Sequence, residues 1–248
     1  MNLPILLYHH VVKNAVNSDL APFIVNEVDF IWQLDVLEDL GYSAITLQEL
    51  ITTKDFSKKV ILTFDDCPRN LLDHAIPHLE AKKWKAVFFA PYNHLGGYNE
   101  WNVIKGKTKM PLMTTDEVKA VSDLGHEIGA HSMTHPHLHQ CSHTEAVYEI
   151  KESKKQIEAF LGKPVKSFAY PYGHYPKDYK TIMEEAGYNC AVSMYSTAPT
   201  VFSDLYRIRR SVVEYGATPQ TFRHQLSTFY QYSRIVSDFF TLKKEGLR

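Results

Sequence analysis

Short apolar runs alternate along this chain with longer stretches of helical periodicity. Strands are predicted at Pro4–Tyr8, Lys59–Phe64, Lys85–Ala90, Glu127–Ala130, Val165–Ala169 and Asn189–Ser193, with a weaker one at Ile208–Val213. The gaps read as helices. After Asn26, a candidate N-cap, Phe30, Ile31, Leu34, Leu37 and Leu40 share one face, and Gly41 can end the helix. Leu71, Leu72, Ile76 and Leu79 suggest a second helix before Trp84, which Pro77 should kink or delay. The clearest helix is Ser142–Leu161, with Ala146, Ile150, Ile157 and Leu161 on one face and Gly162 as the stop. Pro176–Ala186 follows, ending at Gly187. Residues 91–113 and 194–206 are longer irregular stretches, and long loops in compact α/β folds tend to carry function.

Such alternation predicts an α/β fold with a largely parallel sheet. The 248 residues suit one α/β barrel, and no repeat, low-complexity tract or linker divides them, so residues 1–248 are read as a single domain. Four polar clusters each follow a predicted strand: Tyr8-His9-His10, Asp65-Asp66, His131 through Pro136, and Tyr170-Pro171-Tyr172-Gly173. Strand C-termini share one face of a parallel barrel, so clusters far apart in sequence should meet there.

The residue types at those ends suggest metal chemistry. Two adjacent carboxylates repel and are costly to desolvate, and a divalent cation offsets both penalties. His131 and His135 lie four residues apart, and Pro136 disfavours a helix through both, so a short turn carries them. Two imidazoles and one carboxylate leave coordination positions open, as a catalytic metal requires. Such an ion activates water and polarises a carbonyl, while the second Asp is left to take a proton. A leaving amine needs a proton from the opposite side, and His9 and His10 are the candidates. His126, His137 and His139 are read as surface histidines.

The segments ILTFDDCPRN, HSMTHPHL and FAYPYG resemble, in order and spacing, three motifs of the polysaccharide deacetylase family, the NodB homology domain of carbohydrate esterase family four. The likeness runs from about residue 4 to 215. It implies a distorted (β/α) barrel of seven or eight strands and metal-dependent deacetylation of carbohydrates. It implies further that Asp65 is the base and that Asp66, His131 and His135 hold one divalent ion, zinc with nickel or cobalt as alternatives. Pro171, Tyr170 and Cys67 would border the substrate, and the Tyr172 backbone N–H would be an oxyanion donor by analogy.

Three positions depart from the family pattern. Cys67 stands where the family has Gly, Ala169 stands where it has an Arg that orients the base, and the C-terminal Leu-x-His motif is not recognisable. The opening LLYHHVV resembles the branch that includes the poly-N-acetylglucosamine deacetylases, in which barrel elements are circularly permuted. There the acid comes from the opening segment, matching His9, and a late-strand Arg can replace the missing one: Arg210, with Arg207 and Arg209 as competitors.

Composition narrows the remaining classes. Formal net charge is −1, so no field of one sign draws nucleic acid or anionic membrane. Thirteen histidines are an unusual number and fit a metal or acid–base site. Cys67, Cys141 and Cys190 are too dispersed for a disulfide framework or a thiolate zinc site. No signal peptide or transmembrane run is recognisable, so the chain as written reads as cytoplasmic, or as extracytoplasmic if a leader has been trimmed. Tyr92, Tyr98, Trp101, Tyr170, Tyr172 and Tyr175 are candidate platforms for sugar rings. The leading expectation is removal of acetyl groups from N-acetylated sugars. A small-amide hydrolase of allantoinase-like type and a non-catalytic sugar-binding relative are the alternatives.

Overall fold

The structure, a computed structural model, describes residues 3–14, 19–20, 23–213 and 215–244. Its strands are β1 (Ile5–Tyr8), β2 (His10–Val12), β3 (Ile24–Asn26), β4 (Ser43–Ala44), β5 (Lys59–Phe64), β6 (Val87–Ala90), β7 (Glu127–Ala130), β8 (Ser167–Ala169), β9 (Cys190–Ser193), β10 (Ile208–Arg209) and β11 (Ser211–Val212). One parallel sheet runs β10-β9-β8-β7-β6-β5-β1-β11, with β4 paired to β5, while β2 and β3 pair separately. The two ends of this path, β10 and β11, are halves of one segment interrupted at Arg210. The Arg210 N–H donates to the Ser193 carbonyl at 3.0 Å, and Val213 N–H donates to the Leu7 carbonyl at 3.0 Å. One late segment thereby stitches both free edges together and nearly closes the sheet into the expected distorted barrel, leaving little unpaired edge on that side.

Strand alternation sorts the apolar side chains into two groups. Ile5, Ile61, Val87, Phe89, Ala169, Val192 and Ile208 pack together with Leu47 and Leu50. Leu6, Tyr8, Leu62, Phe64, Phe88, Ala130 and Phe168 pack instead with helix residues such as Leu34, Leu79, Val121 and Ile157. Gly129 serves the first group by lacking a side chain. A Cβ there would sit 2.5 Å from the Phe89 ring and 2.8 Å from Ser167 Oγ.

The helices follow local signals. Pro77 divides the Leu71–Leu79 pattern into helices Leu71–His74 and Ile76–Ala81. Ser142 and Glu145 form a capping box before His143–Leu161, and Gly162 ends that helix in the left-handed region. Asn26 precedes Glu27–Asp39 as expected, but its side chain bonds Asp29 and not the helix backbone. The helix predicted from Pro176 begins at Tyr179. Helices Leu47–Thr53, Thr115–Asp123, Pro219–Gln225 and Thr228–Lys244 have no counterpart in the sequence reading.

Candidate metal centre and active site

All four polar clusters lie at strand C-termini, and His9, Asp65, Asp66, His131, His135, Tyr172 and Gly173 line a single cavity with Trp101 and Met194. The backbone there is bent out of ordinary geometry. Among the described residues, five of the eight non-glycine residues with left-handed φ are Asp66, Cys67, Ser132, His135 and Tyr172. Each such residue costs on the order of 1–3 kcal/mol and persists only where its surroundings hold it.

Asp65 continues the sheet, its N–H donating to the Tyr8 carbonyl at 3.0 Å. Asp66 then turns with φ 68°, which separates the two carboxylates. Arg210 takes Asp65 in a bidentate grip, Nη1 to Oδ1 at 2.6 Å and Nη2 to Oδ2 at 2.7 Å, with Nη1 also 3.2 Å from Thr63 Oγ1. Of the three late arginines, this is the one that meets the carboxylate pair. Arg209 binds Asp238, and Arg207 binds Asp204 and lies over Tyr175. Burial pushes the Asp65 carboxyl up, but the Arg210 charge, the nearby His131 and the Arg210 hydrogen bonds outweigh it. The net position is well below the ordinary carboxylate range.

Asp66 has no such cation. Burial raises its pKa, and the neighbouring His131 and His9 offset only part of that rise. Its Oδ1 is buried without a hydrogen-bond partner, 3.5 Å from His131 Nε2 and 3.4 Å from His135 Nε2. Ligand atoms about 2.0–2.1 Å from a tetrahedral ion lie roughly 3.3–3.4 Å from one another. Asp66 Oδ1 therefore stands at the ligand spacing of a zinc-like ion from each imidazole nitrogen, and this orphaned carboxylate oxygen is what such an ion would satisfy.

The imidazoles are prepared for ligation. His131 Nδ1–H donates to the Ala169 carbonyl at 2.7 Å, which leaves Nε2 as the lone-pair nitrogen facing Asp66. Burial lowers the pKa of His131, and that of His135 to about 3, so both rings are neutral near pH 7. Trp101 stacks on His135 with centroids 4.0 Å apart and planes 17° apart. The loop that bears both histidines is held from below by Glu149, on helix His143–Leu161. Its carboxylate accepts from the N–H groups of Met133 (2.8 Å) and Thr134 (2.9 Å) and from the Thr134 hydroxyl (2.7 Å). The sequence reading missed Glu149 and assigned Trp101 only to sugar stacking.

Other expectations shift. Cys67 is fully buried in the apolar core, and Tyr170 is fully buried with its hydroxyl donating to the Tyr206 carbonyl. Pro171 is buried too, so none of the three expected to border the substrate faces the cavity. Burial, with Asp66 and Asp65 nearby, pushes the Cys67 thiol well up, which keeps it protonated. Tyr172 faces the cavity, stacked against His137 at 3.7 Å and beside Lys105. Gly173 behind it is required, since a Cβ would meet Met194 at 2.5 Å. His9 borders the cavity against Phe23, and burial lowers its pKa against the opposing pull of Asp66 and Asp65. His10 is buried with Nδ1 3.0 Å from Asn70 Nδ2, and its pKa falls to about 3. His126 is not a surface residue: it is buried, accepts from Ala86 N–H and lies near Glu80.

The family model described as polysaccharide deacetylase matches residues 53–191. The chain belongs to the polysaccharide deacetylase family. A poly-beta-1,6-N-acetyl-D-glucosamine N-deacetylase of Staphylococcus epidermidis is 25% identical over 207 residues, covering 81% of this chain and 72% of that protein. A peptidoglycan-N-acetylglucosamine deacetylase of Bacillus cereus is 34% identical over 119 residues, covering 48% of this chain and 38% of that protein. Among solved structures, a polysaccharide deacetylase from Bacillus cereus superposes with a TM-score of 0.76 at 22% identity, covering 92% of this chain and 69% of that one. These matches support a carbohydrate deacetylase. His9 and Arg210 both lie outside the matched 53–191 span, so their place at the site rests on geometry. Among the described residues, no helix is long and apolar enough to cross a membrane.

Proposed function

We propose that this protein is a metal-dependent N-deacetylase of N-acetylated sugars, with N-acetylglucosamine units of a polymer or oligomer as the substrate class. The observation that carries the reading is the unsatisfied Asp66 oxygen at ligand spacing from two neutral imidazoles, beside a second carboxylate kept ionised by Arg210. The two relatives named above are deacetylases of poly-beta-1,6-N-acetyl-D-glucosamine and of peptidoglycan N-acetylglucosamine. A divalent ion held by Asp66, His131 and His135 would supply Lewis-acid activation of water and of the acetyl carbonyl.

This chain's side chains would do the rest. Asp65, fixed by Arg210, accepts a proton from the attacking water at a carboxylate oxygen that keeps a second lone pair beside the Arg contact. The backbone N–H of Tyr172, a left-handed residue bordering the cavity, would donate to the developing oxyanion. His9 protonates the departing amine, and Trp101 and Tyr172, which border the cavity, contact the sugar. Comparing Asp65→Asn with Asp66→Asn tests these roles. The first should keep the ion at the Asp66 group and lose most turnover; the second should lose that ion. Loss of metal in Asp65→Asn with retention in Asp66→Asn would exchange the two roles.

A further inference from the structure

A second group of histidines stands outside the site described above. His137 precedes and His139 lies within the 3-10 turn Leu138–Gln140 after β7, and His174 follows the Pro171–Gly173 turn after β8. One ring nitrogen from each lies within 4.8 Å of those of the other two, and the three rings line an open cleft with Gln140. We propose that His137, His139 and His174 form a second metal site for a borderline divalent ion such as Zn²⁺, separate from the Asp66 group.

Two of the three rings are already oriented. His137 lies flat on Tyr172, with centroids 3.7 Å apart and planes at 12°. His174 lies flat on Tyr195, at 4.7 Å and 12°. His139 sits between them, its ring centroid 5.7 Å from His137 and 4.9 Å from His174, on a short partly exposed turn. Closing the group to ligand spacing needs a movement of roughly 1–1.5 Å, within reach of rotation of the His139 side chain. The donor set selects the ion. Three imidazoles suit zinc, copper or nickel, whereas magnesium and calcium favour oxygen ligands. Three protein ligands leave an open position toward the cleft. Because His137 stacks on Tyr172, an ion there would also stiffen the turn that borders the first cavity.

Equilibrium dialysis of the full chain against Zn²⁺, with metal counted by mass spectrometry, tests the proposal. Wild type should take two ions. His139→Gln/His174→Gln should take one, and that retained ion reports an intact barrel. Asp66→Asn/His135→Gln should also take one. In this last background, Cu²⁺ should show nitrogen superhyperfine structure by electron paramagnetic resonance, lost on adding His174→Gln. An unchanged ion count in His139→Gln/His174→Gln, or no ion in Asp66→Asn/His135→Gln, would overturn the second site. If the Asp66 group binds nothing, wild type would take one ion that survives Asp66→Asn and is lost in His139→Gln/His174→Gln. The two sites therefore fail separately.

Discussion

Replacing Arg210 by Met tests the electrostatics of the carboxylate pair. The Arg210 side chain is wholly buried and that of Asp65 is 5% exposed, so solvent cannot take over the lost contacts. Removing one partner of a buried pair costs about 3–5 kcal/mol, because the other charge stays buried. For a chain of this length each kcal/mol moves Tm by about 2–4 °C, which places the expected drop at roughly 6–20 °C. The drop should depend on pH. In the wild type, Asp65 titrates below its unfolded value. Its contribution is complete above the ordinary carboxylate pKa and is lost only as pH falls through the depressed one. Without Arg210, burial is opposed only by the nearby His131 and His9, and the Asp65 pKa should rise above the unfolded value. Asp65 then destabilises the fold at pH 7–8, and the penalty shrinks as acid protonates it. Thermal unfolding of chelator-treated protein, followed by circular dichroism at pH 8 and pH 5, reads both effects. The gap between Met variant and wild type should be widest at pH 8. A Tm within about 2 °C of wild type, or a drop equal at both pH values, would refute the reasoning.

Other consequences follow from the same geometry. His9→Ala should lower turnover on an N-acetylated sugar by about 10²–10⁴ with metal content unchanged. An activated acetyl ester, whose leaving group needs no proton, should lose far less; equal losses on the two substrates would remove His9 as the acid. Glu149→Gln should weaken Zn²⁺ affinity by about 10–100-fold, since it loosens the loop bearing both imidazoles; unchanged affinity in a competition titration would show that the loop holds its shape without that carboxylate. Cys67→Gly relieves a left-handed residue but removes a buried side chain. The two effects oppose, so its stability by urea denaturation should stay within about 1 kcal/mol of wild type and its activity should persist. Complete loss of turnover would point instead to a working thiol.

The barrel was legible because its central strands are continuous apolar runs, buried on both faces, and because four of them end in polar clusters. The short strands β2, β3 and β4 carry no such run and gave no signal. Arg210 could be named only with two rivals, since adjacent arginines differ in direction by the local strand geometry, and the break between β10 and β11 decides it. Glu149 was missed although a trace was present. Ala146, Glu149, Ile150, Ser153 and Ile157 fall on one buried helical stripe, so a carboxylate among them has to meet donors inside the protein. The left-handed turns at Asp66, Ser132, His135 and Tyr172 had no trace, because none is Gly and each is held by tertiary contacts. Tyr170 and Cys67 were misplaced for a related reason: motif membership fixes sequence position, while alternation from β8 turns Tyr170 into the core and Cys67, in a left-handed turn, is buried there too.

Acetate release from a β-linked N-acetylglucosamine oligomer, measured on protein first stripped by a chelator and then given Zn²⁺, tests the central claim most directly. The account predicts no release from the stripped protein. It predicts restored release with added zinc, each acetate matched by one new free amine on the sugar. Release that persists after the metal has been verifiably removed, or none at any zinc loading while the Asp66 group is occupied, would contradict it.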